Sequence, residues 1–316
     1  MSIRFASAAS AVALIACLST PAFAGEAEAA GIGPILETAG DEAPAVTDPV
    51  AARAIAPVDP ATASHADDAE PAITVSGSAT LTSDYRFRGV SQTDEGMAVQ
   101  GGFTIAHSSG FYAGTWGSNL SGWGTFGGAN MELDLFAGVK FPVGEGTLDT
   151  GLVWYMYPSG ADTTDFAELY AKLSGNIGPL SLTAGVAYAP SQEALGNAFP
   201  VGGPADPGDK EDNLYLSGDA VYGIADTPLS LKAHLGYSDG NPGLGPNGTS
   251  IAPTGTYFDW LIGADLVPTP GLTLSIAYVD TDISEAEANL IRPNFATLAG
   301  DSISDATVVF SVTASF

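Results

Sequence analysis

From residue 73 to residue 316 apolar and polar residues alternate with a period of two, in one segment after another. The first run is the longest. Ile73, Val75, Gly77, Ala79, Leu81, Ser83, Tyr85, Phe87 and Gly89 share one phase, and Thr74, Ser76, Ser78, Thr80, Thr82, Asp84, Arg86 and Arg88 share the other. A period of two belongs to extended chain with one apolar and one polar face. Seventeen residues also exceed the length of an ordinary half-buried strand. The last run, Ala306 to Phe316, alternates in the same way and stops on an aromatic residue. A chain that stops on such a strand leaves no tail beyond it, which suits a sheet closed on itself.

The same pattern recurs at 97–106, 111–118, 131–141, 147–157, 166–177, 180–189, 213–224, 229–238, 257–267 and 272–281, predicting about twelve strands. In 131–141, Met131, Leu133, Leu135, Ala137, Val139 and Phe141 oppose Glu132, Asp134 and Lys140. Only 111–118 leaves its outward face open, because Tyr112 and Trp116 share a phase. The connectors alternate in length. Those at 107–110, 142–146, 178–179, 225–228 and 268–271 are tight and rich in Gly and Pro, as hairpin turns are. Those at 91–96, 119–130, 158–165, 190–212, 239–256 and 282–304 are longer. A soluble sandwich has no reason to sort its loops by length. An outer-membrane barrel has, with short periplasmic turns and long external loops.

Composition agrees. The chain is 45% hydrophobic and only 14% charged, against roughly 25% charge in ordinary globular domains. Beyond the amino terminus no stretch approaches the ~18 uncharged apolar residues of a spanning helix. Apolar surface without such helices fits a barrel whose outer face meets lipid. The expected fold is therefore all-β, an antiparallel transmembrane β-barrel of about twelve strands. Tyr85, Phe87, Trp154, Tyr157, Tyr188, Tyr237, Tyr257, Phe258, Trp260 and Tyr278 fall near the long-loop ends, where an interfacial girdle would lie.

Two segments precede the barrel of 73–316. Residues 1–24 read as an export signal: Arg4, an apolar run from Phe5 to Leu18, and Pro21-Ala22-Phe23-Ala24 as the cleavage site. Leu14-Ile15-Ala16-Cys17 offers a second reading, a lipoprotein box that would leave Cys17 acylated. Residues 25–72 hold ten acids, one cation (Arg53) and no aromatic. Such a segment buries too little apolar surface to offset its ordering entropy, and is expected to be a disordered Ala/Pro/acidic spacer. The net charge of −27 excludes nucleic acid as a partner.

Ser83 to Thr93, with Asp84-Tyr85-Arg86-Phe87-Arg88-Gly89 at its centre, then Gly96 to Phe103, Gly110 to Asn119 and Glu132 to Val139 carry a family resemblance. They resemble the TorF-type family of proteobacterial porins. That resemblance implies an outer-membrane barrel and a pore in a Gram-negative bacterium, and supplies no catalytic residue and no substrate.

If the apolar faces meet lipid, the opposite faces line a lumen. The charged candidates there are Asp84, Arg86, Arg88, Glu132, Asp134, Lys140, Asp149, Glu168, Lys172, Asp219, Lys232, Asp259 and Asp265, eight acids and five bases. Either these charges sort solutes across a polar constriction, leaning toward cations, or they pair and plug the barrel. Twelve strands lie between the filled interior of eight and the open channel of sixteen. The expected function is passive diffusion of small solutes or ions, with a non-conducting structural or adhesion scaffold as the alternative. A lipid-modifying barrel enzyme is the remaining class. It needs Ser, His and an orienting group, yet His65 lies in the spacer and His107 in a turn, leaving only His234 without a Gly-x-Ser-x-Gly elbow. No catalytic, cofactor or metal site is expected. Asp206, Asp209, Glu211 and Asp212, and likewise Asp280, Asp282, Glu285, Glu287, Asp301 and Asp305, lack calcium-loop spacing and read as solvated loop charge. Expected partners are outer-membrane lipid, lipopolysaccharide, and the barrel-assembly machinery, which would read Phe316.

Overall fold

In the computed structural model of the chain, residues 72–316 are described. The signal-peptide, Cys17 and spacer expectations fall outside them. Twelve strands close into one antiparallel barrel: β1 (Ile73–Thr82), β2 (Ala98–His107), β3 (Phe111–Asn119), β4 (Met131–Val143), β5 (Gly146–Met156), β6 (Phe166–Ile177), β7 (Leu180–Gln192), β8 (Glu211–Gly223), β9 (Leu229–Asp239), β10 (Tyr257–Thr269), β11 (Leu272–Thr281) and β12 (Thr307–Ser315). Each strand pairs with its neighbours in sequence, and β12 returns to β1 with Ser78 opposite Ser315 and Thr82 opposite Ser311. Phe316 extends that seam. Its N–H donates to the Gly77 carbonyl at 3.0 Å and its carbonyl accepts from the Gly77 N–H at 2.8 Å. Closure leaves no edge strand in the barrel, so its backbone polar groups are paired within the wall.

The alternation sorts side chains as the sequence predicts. Leu135 is 50% exposed and Leu169 53%, whereas Glu132 is 2% exposed and Asp134 and Glu168 are equally hidden. This inverts a soluble protein: apolar groups lie outside and charged groups inside. The ambiguous β3 is settled, with Phe111 and Ala113 outward and Tyr112 buried inward. The aromatic set divides. Trp154, Tyr188, Phe258 and Tyr278 are exposed on the outside, and Tyr237 packs its ring on Phe258 at 4.9 Å. Tyr85, Tyr157 and Tyr257 are instead buried within.

Short turns at 108–110, 144–145, 178–179, 224–228 and 270–271 occupy one end. Long loops at 83–97, 120–130, 157–165, 193–210, 240–256 and 282–306 occupy the other. The long loops pack on one another. Phe199–Pro200 pairs with Gly243–Leu244 and ties two of them together. Trp123 meets Phe126 and Phe295 edge-on, and Phe126 meets Tyr157. The loop 282–306 contains one helix, α1 (Glu285–Ile291). Ser284 caps it by accepting from the Glu287 N–H while Glu287 accepts from the Ser284 N–H, a reciprocal capping box. Ala288 and Ile291, one turn apart, face inward.

One expectation fails. The run from Ile73 to Gly89 is not a single strand, because β1 stops at Thr82 and the chain turns into the barrel. Thr82 Oγ1 donates to the Asp84 carbonyl at 2.9 Å, and Arg86–Phe87 then folds back on Val90–Ser91. Arg88 (φ 48°) and Gly89 (φ 81°) form the tip in the left-handed region. Extended chain would have placed Tyr85 against lipid, yet Tyr85, Arg86 and Arg88 are all wholly buried. In that turned-in position Arg86 and Arg88 both find carboxylate partners.

Candidate functional site: the lumen and the loop across it

Strand pleat alone aims the wall-borne candidates inward. Glu132, Asp134, Lys140, Asp149, Glu168, Lys172, Asp219, Lys232, Asp259 and Asp265 all lie on the inward phase of their strands. Asp84, Arg86 and Arg88 reach the interior by the infolded loop.

The structure gathers all of these charges but Asp134, which is buried opposite Trp116 and Tyr155, into three groups. In the first, Arg86 fastens the stem of the loop. Its Nε donates to Asp84 at 2.5 Å, Nη2 to Glu95 at 2.9 Å, and Nη1 to the carbonyls of Gly89, Ile303 and Asp305. Asp84 also accepts from Ser91 Oγ at 2.6 Å and Thr93 Oγ1 at 3.2 Å. At the tip, Arg88 Nη2 donates to both Glu168 oxygens at 2.8 Å. Its guanidinium lies 4.0 Å from the centre of the Tyr215 ring and 4.8 Å from that of Phe87, a stacked cation. Tyr155 OH donates to Glu168 at 3.2 Å, and Tyr85 OH donates to Glu132 at 3.2 Å.

The second group lies on β8, β9 and β10. His234 Nδ1 is 2.7 Å from Asp219, and its Nε2 is 2.9 Å from Tyr215 OH and 3.3 Å from Asp259. Tyr215 OH donates to Asp259 at 3.1 Å, so the phenol links the histidine pair to the ring on which Arg88 stacks. Lys232 Nζ meets Asp265 at 2.7 Å, and Ser275 Oγ donates to the same oxygen. The third group is a row across β4, β5 and β6, with Lys140 opposite Asp149 and Asp149 opposite Lys172. Tyr112 OH donates to Asp149 at 2.5 Å and also contacts the Tyr170 hydroxyl.

The two halves of the lumen differ. Toward the long loops the candidates are sealed from solvent. Toward the short turns Lys140, Lys172, Lys232 and Asp219 are partly exposed, and Asn176 and Ser181 more so. Water therefore reaches in from the short-turn end as far as the middle charges.

Sequence reasoning left out the tyrosines that organise these groups, Tyr112, Tyr155, Tyr170 and Tyr215. Three of them lie across glycines of an adjacent strand: a Cβ on Gly138, Gly151 or Gly236 would overlap the hydroxyl end of Tyr112, Tyr170 or Tyr215. An inward Tyr opposite an inward Gly was the available signal, but it becomes visible only once strand register is known. Loop carboxylates do local work. Asp209 accepts from the Asn197 N–H, Asp212 from Tyr188 OH and Asp280 from Tyr278 OH. Glu287 is held below the ordinary carboxyl value of 4.5, mainly by the Ser284 hydroxyl and then by the Ser284 N–H.

A closed antiparallel barrel, apolar outside and lined with acidic and basic side chains inside, with one loop folded across its interior, is the class that fold and site define. The chain belongs to the Gcw_chp family, described as bacterial proteins of unknown function, which matches residues 66–316. No curated protein matches it. Among solved structures, the chain is similar to the NanC porin at 11% identity and a TM-score of 0.48, covering 77% of this chain and 99% of that one. It is also similar to the KdgM porin (9%, TM-score 0.45, 76% and 98%) and to the COG4313 outer membrane channel from Pseudomonas putida F1 (11%, TM-score 0.40, 78% and 97%).

Proposed function

We propose that the chain is a porin-like channel of a Gram-negative outer membrane, passing small solutes or ions by passive diffusion with a lean toward cations. The carrying observation is the inverted sorting of side chains around a closed barrel. An apolar wall such as Leu135, Leu169, Ile262 and Phe310 is stable against lipid, and the charges gathered inside need water or one another. Under this reading the thirteen inward candidates line the path. The acidic mouth, carrying Asp206, Asp209, Asp212, Asp282, Glu285, Asp301 and Asp305, would concentrate cations before entry. The TorF-type resemblance, export by residues 1–24, and recognition of Phe316 by assembly machinery belong to the same proposal. So do contacts with outer-membrane lipid and lipopolysaccharide.

The second reading, a barrel that does not conduct and serves as a scaffold, is favoured by one observation. Arg86 and Arg88 are wholly buried, and the loop that carries them spans the lumen. An enzyme is the least supported reading, since the nitrogens of His234 are engaged by Asp219, Asp259 and Tyr215 rather than by a serine. Planar bilayers under a salt gradient separate these readings. A channel gives discrete steps with a cation-directed reversal potential, and persistent silence at high protein load rejects it.

A further inference from the structure

Strands β8, β9 and β10 bring three donor atoms of different kinds to one point of the lumen. They are the Tyr215 hydroxyl oxygen, Nε2 of His234 and Oδ1 of Asp259. The hydroxyl lies 2.9 Å from Nε2 and 3.2 Å from Oδ1, and Nε2 lies 3.3 Å from Oδ1. Ligand atoms ~2.1 Å from one metal ion stand roughly 2.9–3.4 Å apart in octahedral to tetrahedral shells. The triangle therefore has the edges of a coordination face. Register builds it, with Asp219 opposite His234 and Gly236 opposite Asp259. Gly236 leaves the room, since a Cβ there would overlap the Tyr215 hydroxyl and an Asp259 oxygen.

A fourth group fixes the histidine. Asp219 Oδ1 is 2.7 Å from Nδ1, so the ring proton sits on Nδ1 and the Nε2 lone pair faces the two oxygens. Metal-binding histidines are oriented in this way, by a carboxylate on the ring nitrogen that does not bind the ion. The phenol brings one proton to three electron-rich atoms. A further cation satisfies all three at once, and the rival to a metal ion is a second proton, held on Nε2. Charge favours a cation: Asp219 and Asp259 outnumber the Arg88 guanidinium over the Tyr215 ring, which is itself paired with Glu168. The Asp219 side chain is 35% exposed, in the half of the lumen that water enters from the short turns, so an ion has a way in. We propose that Tyr215, His234 and Asp259, oriented by Asp219, form a site for a divalent transition-metal ion such as zinc. An imidazole beside two oxygens suits zinc, copper or nickel, whereas calcium and magnesium take oxygen ligands. The site stands whether or not the barrel conducts.

The test uses the full folded chain, checked by heat-modifiability on a gel and stripped with a chelator. Its background is His65→Gln with His107→Gln, which leaves His234 as the sole imidazole. Zinc is titrated at neutral pH against a chromophoric chelator, with excess calcium to occupy the acidic loops. One zinc ion per chain is expected. Asp219→Asn is expected to weaken binding about 10- to 100-fold, and His234→Gln to abolish it. Tyr215→Phe keeps the ring under Arg88, removes the hydroxyl and is expected to weaken binding too. Copper in place of zinc reads the site with all four residues intact, because pulsed electron paramagnetic resonance then shows an imidazole nitrogen on the ion. Failure to bind zinc overturns the site and leaves the second proton in its place. Equal affinity in folded His234→Gln, or a copper signal from oxygen ligands alone, also overturns it. Unchanged affinity in folded Asp219→Asn overturns the orienting role of that carboxylate.

Discussion

At the scale of single residues, this barrel reverses the usual cost of charge and apolar surface. Leu135 and Asp134 are neighbours in β4, one on the wall and one within. Leu135→Arg is expected to destabilise the barrel by roughly 2–4 kcal/mol near the mid-depth of a bilayer, whereas Glu132→Gln leaves folding intact because the Tyr85 phenol still has an acceptor. Urea unfolding in lipid vesicles, followed by the heat-modifiable gel band, measures both. Glycine matters where an aromatic crosses it. Gly236→Val must displace Tyr215 and with it the Asp259 and His234 contacts, and a loss of about 1–3 kcal/mol is expected from overpacking, read in the same assay. Phe316 works similarly at the seam. A Cβ at Gly77 would come within 2.7 Å of its ring, so Gly77→Val should slow closure of β1 on β12, seen as a larger unfolded band during refolding.

At the scale of elements, the strands and α1 draw on different physics. The strands are fixed by pleat and by cross-strand pairing, the helix by its cap. Ser284→Ala removes both the acceptor for the Glu287 N–H and the hydroxyl that binds its carboxylate, and is expected to cost about 1 kcal/mol locally. Hydrogen exchange over 284–292 reads the loss without disturbance from the barrel. The cap also predicts a pH dependence. The Glu287 pKa is lower in the folded loop than the ordinary 4.5, so its contribution is complete above that value and fades as pH falls through the folded pKa. Protection factors in α1, which remove the intrinsic slowing of exchange in acid, should therefore fall on acidification below about pH 4.5, and this step should be absent in Glu287→Gln.

At the scale of the whole molecule, the alternation of short and long connectors decides what the two ends do. The short-turn end leaves the lumen open to water, and the long-loop end roofs it with Trp123, Phe126, Tyr157 and Phe295. Loop 83–97 folds inward rather than upward, and under the channel reading it decides how much of the lumen is open. Removing the tip by replacing 86–91 with a short glycine-serine link is expected to enlarge the unit conductance while leaving β1 and β2 paired. A barrel that stays silent after that deletion has some other plug.

Strand number, strand phase and the sorting of loops by length were legible in the residues alone. Each rests on local rules: side chains alternate along any strand, and a tight turn needs Gly or Pro wherever it falls. Even the inward phase of Glu132, Glu168 and Asp265 followed from a period of two. The same rule misread 83–89. Alternation continues there in letters, while the chain has turned into the lumen, where Arg86 adds the distant carbonyls of Ile303 and Asp305 to its partners within the loop and Arg88 meets Glu168 of another strand. Which tyrosine lies over which glycine, and which acid meets which base, depend on cross-strand register and on closure of β12 against β1. Those are relations between distant segments, and only the assembled barrel decides them.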